Sequence, residues 1–258
     1  MDDFGVVLRQ WRQTRGYSQL ELGLAAEVST KHVSFLETGR AKPSREMVGL
    51  LASTLDIPLS ERNMLLLAAG YREEYSCMTL DQPEMEPVRR ALNFAMESHN
   101  PYPAVVMDQE WNMLLVNEGY QKLLAQVVAL RPNFPQTQNV LELFFDPEGV
   151  RPLVTNWADI ASLLLQRVHR ERVLYRQGKT DLLEQLLSYP DIPDDWKRID
   201  FSRSALPMTC LNLQLGDVAL EMFSSLSMFG TAIDINVQNI VIEQYFPVDD
   251  QTADFFKR

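Results

Sequence analysis

Between residues 8 and 51 the chain reads LRQWRQTRGYSQLELGLAAEVSTKHVSFLETGRAKPSREMVGLL, with apolar positions every three or four residues and a Gly or Ser restart about every ten. Helices this short are marginal in isolation, so the run constrains its fold to a bundle of brief amphipathic helices packed through tight turns. The first runs from about Phe4 to Thr14, with Val7, Leu8 and Trp11 on one stripe and Gly16 as the stop. A second starts at Ser18, and Glu21 three residues on completes a capping box. The third begins after Ser29 and ends at Gly39, joined to the second by a tight connection around Glu27 and Val28. Pro43 and Ser44 open a fourth to about Leu55, and Ser60 is expected to cap a fifth, ERNMLLLAAG, closed by Gly70.

The Pro-containing DQPEMEP at 81–87 reads as a hinge or helix start, since apolar periodicity resumes in VRRALNFAM. The expected division is a five-helix all-α domain over 1–71, a linker over 72–87 and a second domain over 88–258. In the second domain, AVVMDQEWNMLLVN reads as strand, turn at Gln109 and Glu110, and strand, followed by a helix from about Glu118 to Leu130. Residues 139–200 read as helical, with Thr155 or Asn156 opening a segment whose Trp157, Ile160, Leu164 and Val168 share a stripe. MTCLNLQL and VALEMFSSLSM flank Gly216-Asp217, a sequence suited to a II′ hairpin turn. NIVIEQYF adds a strand and TADFFKR a terminal helix, and the element order is that of an α+β domain with an antiparallel sheet.

Placed on a helical wheel, Thr30, Lys31, Ser34 and Phe35 share one face of the third helix while Val33 and Leu36 point away. One face docks inward and the other is free to read a surface. An α-helix fits the major groove of B-DNA, where Lys31 suits a guanine edge or a phosphate and Phe35 suits a thymine methyl. Gln19 is placed to bond a phosphate, and Arg40 and Lys42 add positive charge in the following loop. The chain carries a net charge of −11, which should repel DNA. Yet residues 1–70 hold eight Lys or Arg against eight Asp or Glu, so the excess acid lies beyond them. Acids more than a Debye length away, about 8 Å at physiological salt, are largely screened from the reading face.

Leu8 to Leu55 resembles the Cro/C1-type helix-turn-helix repressors, the XRE family, in LRQWRQTRGYSQ, LAAEVSTKHVSFLETGR and the KPS that precedes an apolar helix. The resemblance makes Ser18–Val28 the positioning helix and Ser29–Thr38 the recognition helix, with double-stranded operator DNA as partner and a homodimer as the working unit. It also implies an ion pair of Arg12 with Glu37 behind the recognition helix. Two departures stand out. The family often has Gly where Glu27 stands, implying strain if φ there is positive, and Gly23 replaces the usual Ala, which is expected to lower stability.

WNMLLVNEGYQKLL at 111–124, the Phe-Asp-Pro phrase within 139–171 and the closing strands resemble the MmyB-like regulator ligand-binding domain. That resemblance implies a PAS-like fold around an apolar cavity and a small apolar ligand such as a fatty acid. The expected walls are Trp111, Leu115, Phe144, Trp157, Leu164, Met208, Met222 and Phe229, although plain core packing also explains such residues. Arg167, Arg170 and Arg172 could meet a carboxylate head, a solvated helix face being the plainer reading. Two other functions stay open: a ligand-free dimerisation or protein-interaction module, and an antitoxin or phage-type repressor. Cys77 and Cys210 are isolated, and His32, His99 and His169 lack metal or triad spacing, so no metal, cofactor or catalytic residue is expected. No leader-like or membrane-length apolar segment occurs, and the expectation is a cytoplasmic protein without a membrane partner.

Overall fold

A computed structural model describes residues 3–174, 180–198 and 208–257. The chain forms two compact units, the first of residues 1–79 and 230–238, the second of 80–229 and 239–258. The first unit carries five helices: α1 (Phe4–Thr14), α2 (Gln19–Ala25), α3 (Thr30–Glu37), α4 (Arg45–Thr54) and α5 (Leu59–Ala68). Side chains of Asp3, Ser18, Ser29 and Ser44 cap the first four, and Ser18 with Glu21 forms the complete capping box. Leu8, Leu22, Val33, Leu36, Leu51 and Leu65 are fully buried between them.

The fifth helix departs from expectation. It begins at Leu59, its N-cap is Pro58, and Ser60 makes no cap. The N–H of Leu59, at the first turn of the helix, donates to Oε1 of Gln238, 2.8 Å away and 179 residues distant in sequence. Gln238 arrives on the segment 230–238, which is fixed within this unit by Asp234. The Asp234 carboxylate accepts from Ser76 Oγ at 2.7 Å and from the Met78 and Asn236 backbone N–H groups at 3.0 and 2.9 Å. Ile235 N–H donates to Ser76 O, and Asn236 Nδ2 to Met78 O.

The second unit contains α6 (Glu86–His99), β1 (Ala104–Met107), β2 (Met113–Val116), α7 (Glu118–Leu130), α8 (Val140–Phe145), α9 (Trp157–Leu174) and α10 (Thr180–Ser188). It closes with β3 (Leu211–Leu215), β4 (Val218–Met228) and β5 (Val241–Pro247), then α12 (Asp250–Lys257); α11 (Ile235–Asn239) lies on the β4–β5 connection. The five strands form one antiparallel sheet in the order β2-β1-β5-β4-β3. Gly216 has a φ of 59° and Asp217 does not have positive φ, in keeping with the II′ turn. Alternation divides the sheet faces: Val105 and Met107 enter the larger core with Phe145, Leu165 and Met222. Ala104 and Val106 enter a smaller one with Leu92 and Met96 of α6. No described helix is long and apolar enough to cross a membrane.

Candidate nucleic-acid interface and ligand cavity

The recognition-helix candidate α3 is held from behind by a buried carboxylate. Glu37, fully buried in its side chain, accepts from Arg12 Nε at 2.5 Å and Arg12 Nη2 at 3.1 Å. Gln19 Nε2 adds a bond at 2.8 Å and Arg9 Nε one at 3.3 Å. Burial pushes the Glu37 carboxyl up, but the hydrogen bonds of Arg12, Gln19 and Arg9 outweigh it and hold the group below the ordinary carboxylate range. Arg12 also donates to Tyr17 O at 2.6 Å, so α1, the α1–α2 turn, α2 and α3 are fastened at one point. Gln19 was expected to face phosphate; it is half-buried with one amide hydrogen engaged by Glu37, which leaves a single N–H for any phosphate.

Close backbone approach sets the angle of α3. A Cβ added to Gly5 would lie 2.6 Å from the carbonyl oxygens of both Leu36 and Glu37, so α1 crosses the end of α3 where only glycine fits. Gly23 works similarly: a Cβ there would meet Val28 O at 2.8 Å. The expectation that Gly23 weakens the unit is therefore reversed, because alanine in its place would have to displace the turn into α3. Glu27 does sit at φ 55°, in the left-handed region. Glu27→Gly should raise the stability of the unit by about 1 kcal/mol. Thermal melts of the two proteins test this, and an unchanged or lowered Tm would contradict the strain.

On the outward face, Lys31 is exposed and Thr30, Ser34 and Phe35 are half-buried. Phe35 lies between two cations, with Lys31 Nζ 5.5 Å and Arg40 Cζ 5.9 Å from its ring centroid. The ring thus orders positive charge at the surface. Of the eight Lys and Arg in residues 1–70, five are engaged elsewhere. Arg9 and Arg12 hold Glu37, and Arg15 donates to Leu55 O and Asp56 O. Arg45 pairs with Glu74, while Arg62 donates to Ile57 O and Ser53 Oγ. Among the described residues, Lys31, Arg40 and Lys42 are the cations of this region left without a hydrogen bond or ion pair. They are the same three that sequence reasoning placed against DNA.

In the second unit, an open cavity of about 70 Å³ lies over the larger core. Trp111, Phe144, Leu164 and Met222 line it, as do Ser224, Glu243 and Tyr245. The other expected wall residues lie elsewhere. Leu115 pairs across the sheet with Val106 and shares its face, so it packs in the smaller core, as does Phe229. Trp157 abuts Phe145 edge-on at 5.1 Å and its Nε1 donates to Asp191 O. Met208 is 47% exposed. Arg170 is exposed, and the side chain of Arg172 lies outside the described ones.

Trp111 owes its place to a strained turn. Its φ is 68°, costly for a bulky residue, and Asp108 holds the turn by accepting from the Glu110 and Asn112 N–H groups at 2.8 and 2.9 Å. Arg167 stacks on its indole at 4.2 Å and pairs with Glu171 at 3.1 Å. The polar lining was missed by sequence reasoning. Burial pushes the Glu243 carboxyl up, although bonds from Ser224 and Tyr245 and the charge of Arg167 favour its ionised form. Burial likewise raises Tyr120 and Tyr245, with the Glu243 charge adding to both. The available signal was an acid in phase with an apolar alternation, at Glu243 and Tyr245 of VIEQYF.

Comparison with known proteins gives two family matches. Residues 88–258 match the family described as MmyB-like transcription regulator ligand binding domain, and residues 8–62 match a helix-turn-helix family. An uncharacterized HTH-type transcriptional regulator of Mycobacterium tuberculosis, Rv0023, is 32% identical over 97 residues, 37% of this chain and 38% of its own. The transcriptional regulator ClgR of the same organism is 37% identical over 68 residues, 26% of this chain and 58% of its own. The matches thus span less than two thirds of either relative. A solved structure of an RNA-binding light-oxygen-voltage receptor aligns over 97% of this chain and 62% of its own at 11% identity, with a TM-score of 0.28. That score carries no argument about fold or function.

Proposed function

This chain belongs to the MmyB-like transcription regulator ligand binding domain family, with a helix-turn-helix region ahead of that domain, and from that premise we propose a ligand-responsive, DNA-binding regulator of transcription rather than an enzyme. The observation that carries it is the set of cations around α3 without a hydrogen bond or ion pair among the described residues, Lys31, Arg40 and Lys42, beside Thr30, Ser34 and Phe35. The helix enters the major groove by its Ser29-capped end, and the loop cations meet flanking phosphates. Three phosphate contacts are few for one reader. The working unit is therefore a homodimer on a palindromic operator, its two readers about 34 Å apart.

Fluorescence anisotropy on a duplex from the protein's own upstream region tests both points. Lys31→Ala should weaken binding about tenfold. Equal affinity and selectivity would sink the assigned role of Lys31. With about three phosphate contacts per copy, log K should fall with log salt at a slope near −5 for a dimer and near −3 for a monomer.

The second unit takes up a small, mainly apolar molecule, resembling a fatty acid in its chain, and biases operator binding. Chain connectivity supports this coupling: Met222 and Ser224 on β4 and Glu243 and Tyr245 on β5 line the cavity, and the segment joining those strands is built into the first unit through Asp234 and Gln238. A ligand shifts operator affinity only as far as it distinguishes two arrangements of that segment. Gln238→Ala should leave operator binding in place and abolish its response to ligand; a full response would place the coupling elsewhere.

A further inference from the structure

We propose that Glu243, Tyr245 and Ser224 form the polar end of the ligand site, and that they select a molecule whose apolar body ends in a hydrogen-bond donor, an alkyl amine or alcohol, against one ending in a carboxylate. The proposal rests on the ligand-binding reading of the second unit and narrows it. Three observations lead to it. Glu243 is a buried acid, 8% exposed, that lines a cavity with a mainly apolar wall, Trp111, Phe144, Leu164 and Met222 among it. An inward-pointing acid in a strand is costly unless something meets it.

Second, its partners do not exhaust it. Ser224 and Tyr245 are the hydroxyls beside Glu243 on the cavity lining, but a carboxylate offers about four lone-pair sites. Acceptor capacity is left over on a group that lines the cavity. Ser224 is exposed and Tyr245 buried, so the polar group runs from the mouth of the cavity inward.

Third, of the described residues that line the cavity none is a cation. Arg167 lies close by, but its guanidinium is stacked on Trp111 and paired with Glu171, and what its charge supplies at the site already favours ionised Glu243. A fatty-acid carboxylate would meet Glu243 with no further cation on the lining to offset it, and two carboxylates sharing a site cannot both ionise without mutual repulsion. A donor head meets the opposite situation. An alcohol O–H adds a third donor to the carboxylate, and an ammonium adds a charge-assisted bond in a poorly solvated place, where such bonds are strongest.

Isothermal titration of the full chain with octylamine, 1-octanol and octanoate, which share one chain length, tests the head group. Octylamine or octanol should bind at least tenfold more tightly than octanoate. Glu243→Gln, which keeps shape and removes the acid, should erase that preference, and Leu164→Trp, which fills the apolar wall, should weaken every ligand that binds. Preference for the amine alone would identify a charge pair, and equal preference for the alcohol a neutral donor; either supports the assignment. Octanoate binding as tightly as the others, or a preference that survives in Glu243→Gln, would overturn the head-group assignment and leave the apolar cavity intact. Failure of all three compounds to bind would overturn this proposal and the ligand-binding reading together.

Discussion

Arg12→Ala is expected to lower the stability of the helix-turn-helix unit by about 3 kcal/mol, the lower end of the roughly 3–5 kcal/mol cost of breaking a buried ion pair from one side. The lower end applies because Glu37 would keep Arg9 and Gln19 as partners. Hydrogen exchange followed over residues 4–68 is the suitable measurement, since it separates this unit from the other. Operator affinity should fall as well, because the same carboxylate holds the end of α3. A loss below about 1 kcal/mol would show that the pair behaves like an exposed one. The pH dependence follows from the direction of the Glu37 shift. Its folded-state pKa is depressed, so its contribution is complete above the unfolded value, roughly 4.3. That contribution is lost as pH falls through the lower folded value. Glu243 has the opposite sign: its raised pKa gives stability that is full in acid and declines as pH climbs above the unfolded value. On acidification the first unit should therefore lose protection while the second does not lose it through Glu243.

The features legible in the sequence are those in which cause and effect are neighbours. Ser18 and Glu21 lie three residues apart and cap their own helix. Gly216 stands in the turn it makes possible. The wheel of α3 needs only eight residues to separate Val33 and Leu36 from Lys31 and Phe35. What escaped depends on partners distant in sequence. Ser60 looked like the cap of α5, but the helix begins earlier, at Leu59, whose N–H is answered by Gln238, and no local rule connects positions 179 residues apart. Leu115 is as apolar as Trp111, and only strand register sends it to the other face of the sheet. Gln19 carries the right chemistry for a phosphate, yet its place beside Glu37 is fixed by the crossing of three helices. The Arg12–Glu37 pair came from family resemblance, and its geometry then explained it.

Gly5→Ala tests the close approach that sets the recognition helix. The added methyl would lie 2.6 Å from two backbone carbonyl oxygens, at the end of α3, and neither oxygen can rotate away as a flexible side chain could. Relief requires α1 to withdraw from α3, which also stretches the bonds of Arg9 and Arg12 to Glu37, since both arginines stand on α1. Overpacking of this kind costs about 3 kcal/mol at its upper end. The loss should not be additive with Arg12→Ala, because both changes act through the same junction. The functional consequence separates this residue from an ordinary core position. Every group proposed to contact DNA is untouched in Gly5→Ala, so operator affinity should fall at least tenfold only through the altered tilt of α3. Anisotropy at a temperature where the variant remains folded makes the distinction. An unchanged affinity there would mean that α3 keeps its angle without α1, and that Gly5 serves stability alone.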